Sequence, residues 1–337
     1  MKPWRHRLLQ WYFKHRRDLP WRRTKDPYAI WISEIMLQQT TVEAVIPYYE
    51  RFLKRFPTVQ TLAKAEVDDV LKLWSGLGYY SRARNLHKAA RTIKKLPDTV
   101  EDLMQLPGIG RYTAGAIASI AFGKRAPIVD GNVIRVLSRL FLISEDPKSS
   151  AGQKIFWKTA EEILPQKHLG NFNQALMELG ATVCSPENPA CLICPVAKDC
   201  RARQEARPED FPVPKKKTEY RDVLMSAAVI RREGRVLFLR RPDSGFLKGL
   251  WELPMVEGDA KALQKRWAVK ILRSLPCVRH AVLNRRLKIA PFLCAFTKGG
   301  SKTDASSPER RWLAVSEIGD LPTSSMNMKI IKYLNDL

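Results

Sequence analysis

The chain has 337 residues, enough for two compact cores, and 45% of them are apolar, which excludes a disordered basic tail. Its 58 Lys and Arg against 34 Asp and Glu leave a formal net charge of +24, a field suited to a polyanion, with nucleic acid ahead of a membrane surface. No apolar run is long enough for a spanning helix, since the longest lies between Arg111 and Lys124, and four of six cysteines crowd one segment, unlike a secreted disulfide framework.

The opening MKPWRHRLLQWYFKHRRDLPW is basic and aromatic, without a signal-peptide core, and reads as a folded helix. Residues 1 to about 200 read as nearly all helix. Punctuation at Pro27, Pro47, Pro57, Gly76-Leu-Gly78, Pro97, Pro107-Gly108, Gly123 and Pro127 implies a compact domain of short helices.

From Pro27 to Val42 there is one charge, Glu34, among Trp31, Ile32, Ile35 and Met36. A carboxylate so surrounded is poorly solvated, and its pKa rises until it holds a proton near neutrality. The plainer alternative is a Glu on the wet face of an amphipathic helix. Further on, Leu106-Pro-Gly-Ile-Gly-Arg-Tyr-Thr113 joins two helical segments. Gly108 and Gly110 let backbone N–H groups point outward at the start of a helix Tyr112–Phe122, an anion site, although an ordinary interhelical turn has the same composition. Asp130, followed by Gly131 and Asn132, reads first as the N-cap of a helix Asn132–Leu142. An ionised Asp near a protonated Glu is also what glycosidic cleavage requires.

Cys184-x6-Cys191-x2-Cys194-x5-Cys200 gathers four thiols in seventeen residues stiffened by Pro186, Pro189 and Pro195, and such a set suits zinc or an iron–sulfur cluster. After Cys200 the texture changes. Arg207–Lys217 reads as a Pro-rich linker, and Glu233-Gly234 marks a hairpin. Strand-like runs follow at Arg286–Ala290, Phe292–Thr297 and Trp312–Val315, giving a smaller α+β domain in which Cys277 and Cys294 are expected to fill the core. The segment 298–310 reads as poorly ordered. Residues 260–303 contain eleven Lys and Arg and no Asp or Glu.

The cysteine spacing and the Leu106–Thr113 hairpin resemble the endonuclease III superfamily of helix–hairpin–helix DNA glycosylases. Leu19-Pro-Trp-Arg22, Trp31-Ile-Ser-Glu-Ile-Met-Leu-Gln-Gln-Thr40, Gly76-Leu-Gly-Tyr-Tyr-Ser-Arg-Ala-Arg-Asn-Leu86, Val129-Asp-Gly-Asn-Val133 and Phe172-Asn-Gln-Ala175 resemble the MutY family of adenine DNA glycosylases, nearly continuously from about residue 4 to 200. The resemblance implies a mainly α glycosylase domain over 1–205, with a six-helix barrel at about 24–135 and an iron–sulfur domain from 1–23 and 136–205. It implies a linker over 206–220 and a Nudix-like α+β domain over 221–337, whose start is carried by Phe246–Glu257.

It further implies a 4Fe–4S cluster on Cys184, Cys191, Cys194 and Cys200. Glu34 would protonate adenine at N7 and Asp130 would stabilise the sugar cation. Tyr112 stands where bifunctional relatives carry a Schiff-base lysine, so a monofunctional enzyme is expected. Trp21, Arg22, Leu37 and Gln174 would line the adenine pocket, with plain core packing equally open for Trp21 and Leu37. Gln39 and Tyr79 would wedge into the duplex, and Gly108, Gly110 and Arg111 would hold its backbone. A Nudix hydrolase needs a Glu cluster for magnesium, which the acid-free stretch lacks, so a non-hydrolytic DNA clamp is expected there. Val282-Leu283-Asn284 stands where family members that read 8-oxoguanine carry Phe-Ser-His.

The expected protein is a monomeric, bacterial-type cytoplasmic repair enzyme acting on adenine opposite 8-oxoguanine or guanine in double-stranded DNA. The alternatives are an endonuclease III-like glycosylase-lyase on oxidised pyrimidines or mismatched thymine, and a non-catalytic cluster-bearing DNA-binding protein.

Overall fold

The computed structural model describes residues 3–213, 220–242, 247–282, 284–297 and 309–334. Phe246, Leu283, most of the 298–310 segment and the end of the expected linker lie outside them. The chain divides into two compact units, Met1–Lys64 with Asn85–Lys216, and Ala65–Arg84 with Lys217–Leu337. Nothing in the sequence announces that residues 65–84 group with the second unit.

The first unit is helical. Asp26 accepts the Tyr28 N–H at 3.1 Å, and Pro27 fills the first turn, where its missing N–H costs nothing. The helix so opened, Pro27–Leu37, is buried without a break from Tyr28 to Met36. A helix apolar on all sides belongs inside a core, and it carries Glu34 there with it. Thr41, Thr99 and Ser149 cap the helices Val42–Arg55, Val100–Met104 and Ser150–Ile163 in the same manner. Helix Leu169–Thr182 crosses helix Gly131–Phe141 closely enough that a Cβ on Gly180 would lie 2.6 Å from the Asn132 Cβ. No described helix is long and apolar enough to cross a membrane.

The second unit is built on a mixed sheet. Strands β1 (Arg221–Arg232) and β2 (Arg235–Arg240) form the expected hairpin, with Glu233 (φ 50°) and Gly234 (φ 73°) both left-handed, as a two-residue turn between twisted strands requires. The remaining strands are β3 (Trp251–Glu252), β4 (Met255–Glu257), β5 (Val269–Ser274), β6 (Val278–Val282), β7 (Arg285–Phe296) and β8 (Arg310–Ala314). Their order is β3-β2-β1-β7-β5, with β4 on β1, β6 on β7 and β8 on β2. β1 and β7 run parallel from Arg221 opposite Arg285 to Ile230 opposite Cys294, so the two runs expected around Pro291 are one strand. Cys294 is buried as expected. Cys277 is not a core residue, for it is exposed in the turn after Pro276 that joins β5 to β6.

Candidate active site

A pocket of about 190 Å³ opens in the first unit, lined by Trp21, Arg22, Glu34, Leu37, Tyr112, Asp130 and Gln174 among others. That is below the roughly 300–1,000 Å³ of sites for drug-sized molecules, and suits a small ligand. Seven of the residues singled out from the sequence thus converge. Trp21 is buried edge-on to Tyr49 at 5.4 Å and also lines the pocket.

Glu34 is 5% exposed. Burial pushes its carboxyl up to about 7, helped by the nearby Asp130 charge and opposed by a hydrogen bond from Tyr112 and the Arg22 charge. The Tyr112 hydroxyl donates to Glu34 Oε2 at 2.8 Å and lies 3.3 Å from Met177 Sδ. Burial, then the two carboxylates, raises the Tyr112 phenol well above its ordinary value, so it stays a donor.

Asp130 is the N-cap of helix Gly131–Phe141 as well as a pocket residue. Its Oδ1 accepts the Val133 N–H at 2.7 Å and its Oδ2 accepts Asn132 Nδ2 at 3.1 Å. Burial raises this carboxyl too, but those two donors and the Arg135 charge hold it back. Of the two carboxyls, Asp130 is the one that accepts from a backbone N–H and an amide, whereas the bond to Glu34 comes from a phenol. Arg135 in turn donates to Asn132 Oδ1, Cys184 O and Gly180 O, each at 2.7 Å, tying the cap to the cysteine loop.

The same pocket holds a feature missed from the sequence. Glu178, 1% exposed, accepts Arg17 N at 2.9 Å, Arg17 Nε at 3.0 Å, Arg17 Nη2 at 2.8 Å and Arg22 Nη2 at 2.7 Å. Burial alone would raise this carboxyl, yet the two guanidiniums hold it down at about 2. Its signal was the one that marked Glu34, a single charge in an apolar helix, LGNFNQALMELGAT.

The hairpin glycines differ in necessity. Gly108 has φ +82°, and a Cβ there would meet Asn85 Cβ at 2.8 Å. Gly110 caps helix Arg111–Ile120 with nothing within 4 Å of a Cβ, which leaves its outer side free. Arg111 is exposed, its guanidinium 4.0 Å above the Trp157 ring. Gln39 is exposed with φ 59° and does not line the pocket. Tyr79, 44% exposed with φ 47°, belongs to the second unit.

Cys184, Cys191, Cys194 and Cys200 are free thiols lining one small apolar cavity. Behind it, the buried Arg139 donates to Phe211 O, Ser185 O and Pro186 O at 2.7–2.9 Å, and its Nη1 lies 3.4 Å from Cys184 Sγ. Among the described residues no three His, Cys, Asp or Glu side chains are grouped to hold a single metal ion.

Comparison with known proteins bears on both units. Residues 32–162 match the HhH-GPD superfamily of base excision DNA repair proteins, and residues 226–333 match the NUDIX domain. The human adenine DNA glycosylase is 36% identical over 96% of this chain and 72% of its own. That of Buchnera aphidicola subsp. Acyrthosiphon pisum is 42% identical over 85% of each. Among solved structures, a thermostable thymine-DNA glycosylase superposes with a TM-score of 0.56 at 31% identity, covering 60% of this chain and 96% of that one. An endonuclease III–DNA complex, at 24% identity and a TM-score of 0.51 over 60% of this chain and 94% of that one, shares the fold.

Proposed function

The chain belongs to the adenine DNA glycosylase family, and from that premise we propose that it hydrolyses the N-glycosidic bond of adenine opposite 8-oxoguanine or guanine in duplex DNA. The observation that carries this reading is the buried Glu34, its carboxyl raised to about 7, in one pocket with the N-capping Asp130. Tyr112 donates to Oε2, which leaves Oε1 to bear the proton toward the base. Protonation at adenine N7 makes the base a competent leaving group. Asp130, restrained by Val133 and Asn132, keeps its charge to face the sugar cation until water adds. Trp21, Arg22, Leu37 and Gln174 bound the adenine, while Gln39 and Tyr79 fill the space it leaves in the duplex.

The enzyme is monofunctional on this reading, because Tyr112, whose phenol cannot form an imine, stands where bifunctional relatives carry a Schiff-base lysine. Gly108, Gly110 and Arg111 hold the DNA backbone. In the Nudix-like domain, helix Ala260–Trp267 carries Lys261, Lys265 and Arg266 and no carboxylate, so the domain contacts phosphates rather than hydrolysing a diphosphate. Val282 has no side-chain donor or acceptor, and Asn284, whose amide could still hydrogen-bond a base edge, does not reproduce the contacts of the Phe-Ser-His loop, which implies weak discrimination between 8-oxoguanine and guanine. The protein works as a monomer in the reducing compartment that holds chromosomal DNA.

The four thiols would hold a 4Fe–4S cluster, a choice supported by an all-sulfur donor set that lines one small cavity. Bound there, it would supply a covalent crosslink among the four cysteines, while Arg135 and Arg139 hold the cysteine loop against helix Gly131–Phe141. Iron and sulfide analysis of yellow-brown protein tests it, and colourless protein with stoichiometric zinc overturns it.

The activity is tested with duplexes bearing one adenine opposite 8-oxoguanine, guanine, cytosine or thymine, read with and without alkali. Adenine release opposite the two purines, with strand breaks only after alkali, is expected. Release of an oxidised pyrimidine or mismatched thymine instead, or efficient borohydride trapping, contradicts the reading.

A further inference from the structure

Residues 75–80 form a tight turn within the second unit. Gly76 (φ 101°), Gly78 (φ 72°) and Tyr79 (φ 47°) are all left-handed, and for Tyr79 that conformation persists only where its surroundings impose it. The surroundings are specific. Trp74 Nε1 donates to Gly78 O at 3.1 Å. Arg82 Nη2 donates to Gly78 O at 3.3 Å and to Leu77 O at 3.4 Å, and its guanidinium lies 5.2 Å from the Tyr79 ring and 5.6 Å from that of Trp74.

The turn is closed at its base by a residue about 245 positions away in the chain. The buried Tyr80 hydroxyl donates to Thr323 O at 2.6 Å, and Ser75 Oγ donates to the same carbonyl at 3.1 Å. Gly76 N donates back to the Tyr80 hydroxyl at 3.4 Å, which completes a ring of hydrogen bonds. Thr323 is itself immobilised. It is 1% exposed, its Oγ1 donates to Trp251 O at 2.7 Å, and Trp251 N donates to Pro322 O at 2.9 Å. Its carbonyl is therefore a fixed point of the Nudix-like domain's core.

We propose that this carbonyl is a clasp. Through the Tyr80 and Ser75 hydroxyls, Thr323 holds the 75–80 turn so that Tyr79 stays presented, and the Nudix-like domain thereby takes part in base flipping as well as in phosphate binding. Thr323, Tyr80 and Ser75 are positioning residues, acting on the duplex through Tyr79. The clasp rests on the reading of Tyr79 as a wedge. Its sequence signal was weak, because Thr323 stands in an unremarkable Leu-Pro-Thr-Ser stretch.

The test uses the full chain in a Glu34→Gln background, where the target base stays attached. A duplex carrying 2-aminopurine in place of the target adenine reports extrusion by its fluorescence. Tyr80→Phe, which removes the hydroxyl and little else, lowers the extruded fraction about tenfold, the scale of one or two lost hydrogen bonds. Tyr79→Ala lowers it at least as far, and the double variant is no worse than Tyr79→Ala alone. Affinity for undamaged duplex is unchanged in Tyr80→Phe. Additive losses in the double variant overturn the clasp, since Tyr80 would then act by another route. Normal extrusion in Tyr80→Phe with a defect in Tyr79→Ala overturns the clasp and spares the wedge. Normal extrusion in Tyr79→Ala removes the wedge and the clasp with it. Should Tyr80→Phe fail to fold, Ser75→Ala, which deletes the other bond to the same carbonyl, is carried through the same cycle.

Discussion

Glu34 and Glu178 line one pocket, each the single charge of an otherwise uncharged helix, and they end in opposite states. Burial raises both carboxyls. Glu34 has a neutral phenol for its hydrogen bond, and stays up at about 7. Glu178 has two guanidiniums and a backbone N–H, and falls to about 2. Depth decides that a carboxyl will be perturbed, and its partners decide in which direction. One carboxyl is thus raised into the neutral range, while the other is an anion that pairs with Arg22.

The comparison breaks most visibly at Glu178. Glu178→Leu strands the Arg22 side chain, 9% exposed, without its counter-charge, and should cost about 3–5 kcal/mol in urea unfolding at pH 7. Because the folded-state value is depressed, the stabilisation is complete above about pH 4.5 and fades as pH falls toward 2. The deficit of the variant should shrink over that window. A deficit independent of pH would assign it to lost packing.

Glu34 should behave in the opposite sense. Its folded value lies above the unfolded 4.5, so the wild type loses stability as pH rises from about 4.5 to 7. Glu34→Gln does not titrate, and its stability relative to wild type should climb by about 3 kcal/mol across that interval, at about 1.4 kcal/mol per pKa unit. A flat difference would mean that Glu34 is ionised in the pocket at neutral pH.

The smallest effect is expected at Tyr112. Tyr112→Phe removes a hydrogen bond that favours the charged form of Glu34, so the alkaline fall of the pH–rate curve moves to higher pH. The rate itself should drop about tenfold or less, one hydrogen bond's worth. Movement of the fall to lower pH would reverse the role given to the phenol.

What was legible in the sequence follows the range of the forces involved. Helices, caps and the Glu233-Gly234 turn depend on neighbours within a few residues, and they form where local chemistry puts them, with ends shifted slightly: helix Arg111–Ile120 rather than Tyr112–Phe122, and Gly131–Phe141 rather than Asn132–Leu142. Glu34 was legible because its isolation is local too. Glu178 carried the same mark, but its meaning depends on Arg17 and Arg22, about 160 residues away. Strands β5 and β6 were not foreseen, since Val269–Ser274 and Val278–Val282 are short and interrupted by charged or His residues, and they exist through pairing with β7. The grouping of residues 65–84 with the second unit is of the same kind, resting on long-range bonds such as that of Tyr80 with Thr323.

The central claim is that a proton held by Glu34 departs with adenine. Single-turnover release of adenine from a duplex with adenine opposite guanine, followed between pH 6 and 9, tests it most directly. Wild-type protein should slow as pH rises through about 7, where Glu34 ionises, and Glu34→Gln should be about 10²–10⁴-fold slower with no such fall. A Glu34→Gln rate within a few-fold of wild type, or a wild-type rate that climbs through pH 7, would contradict it.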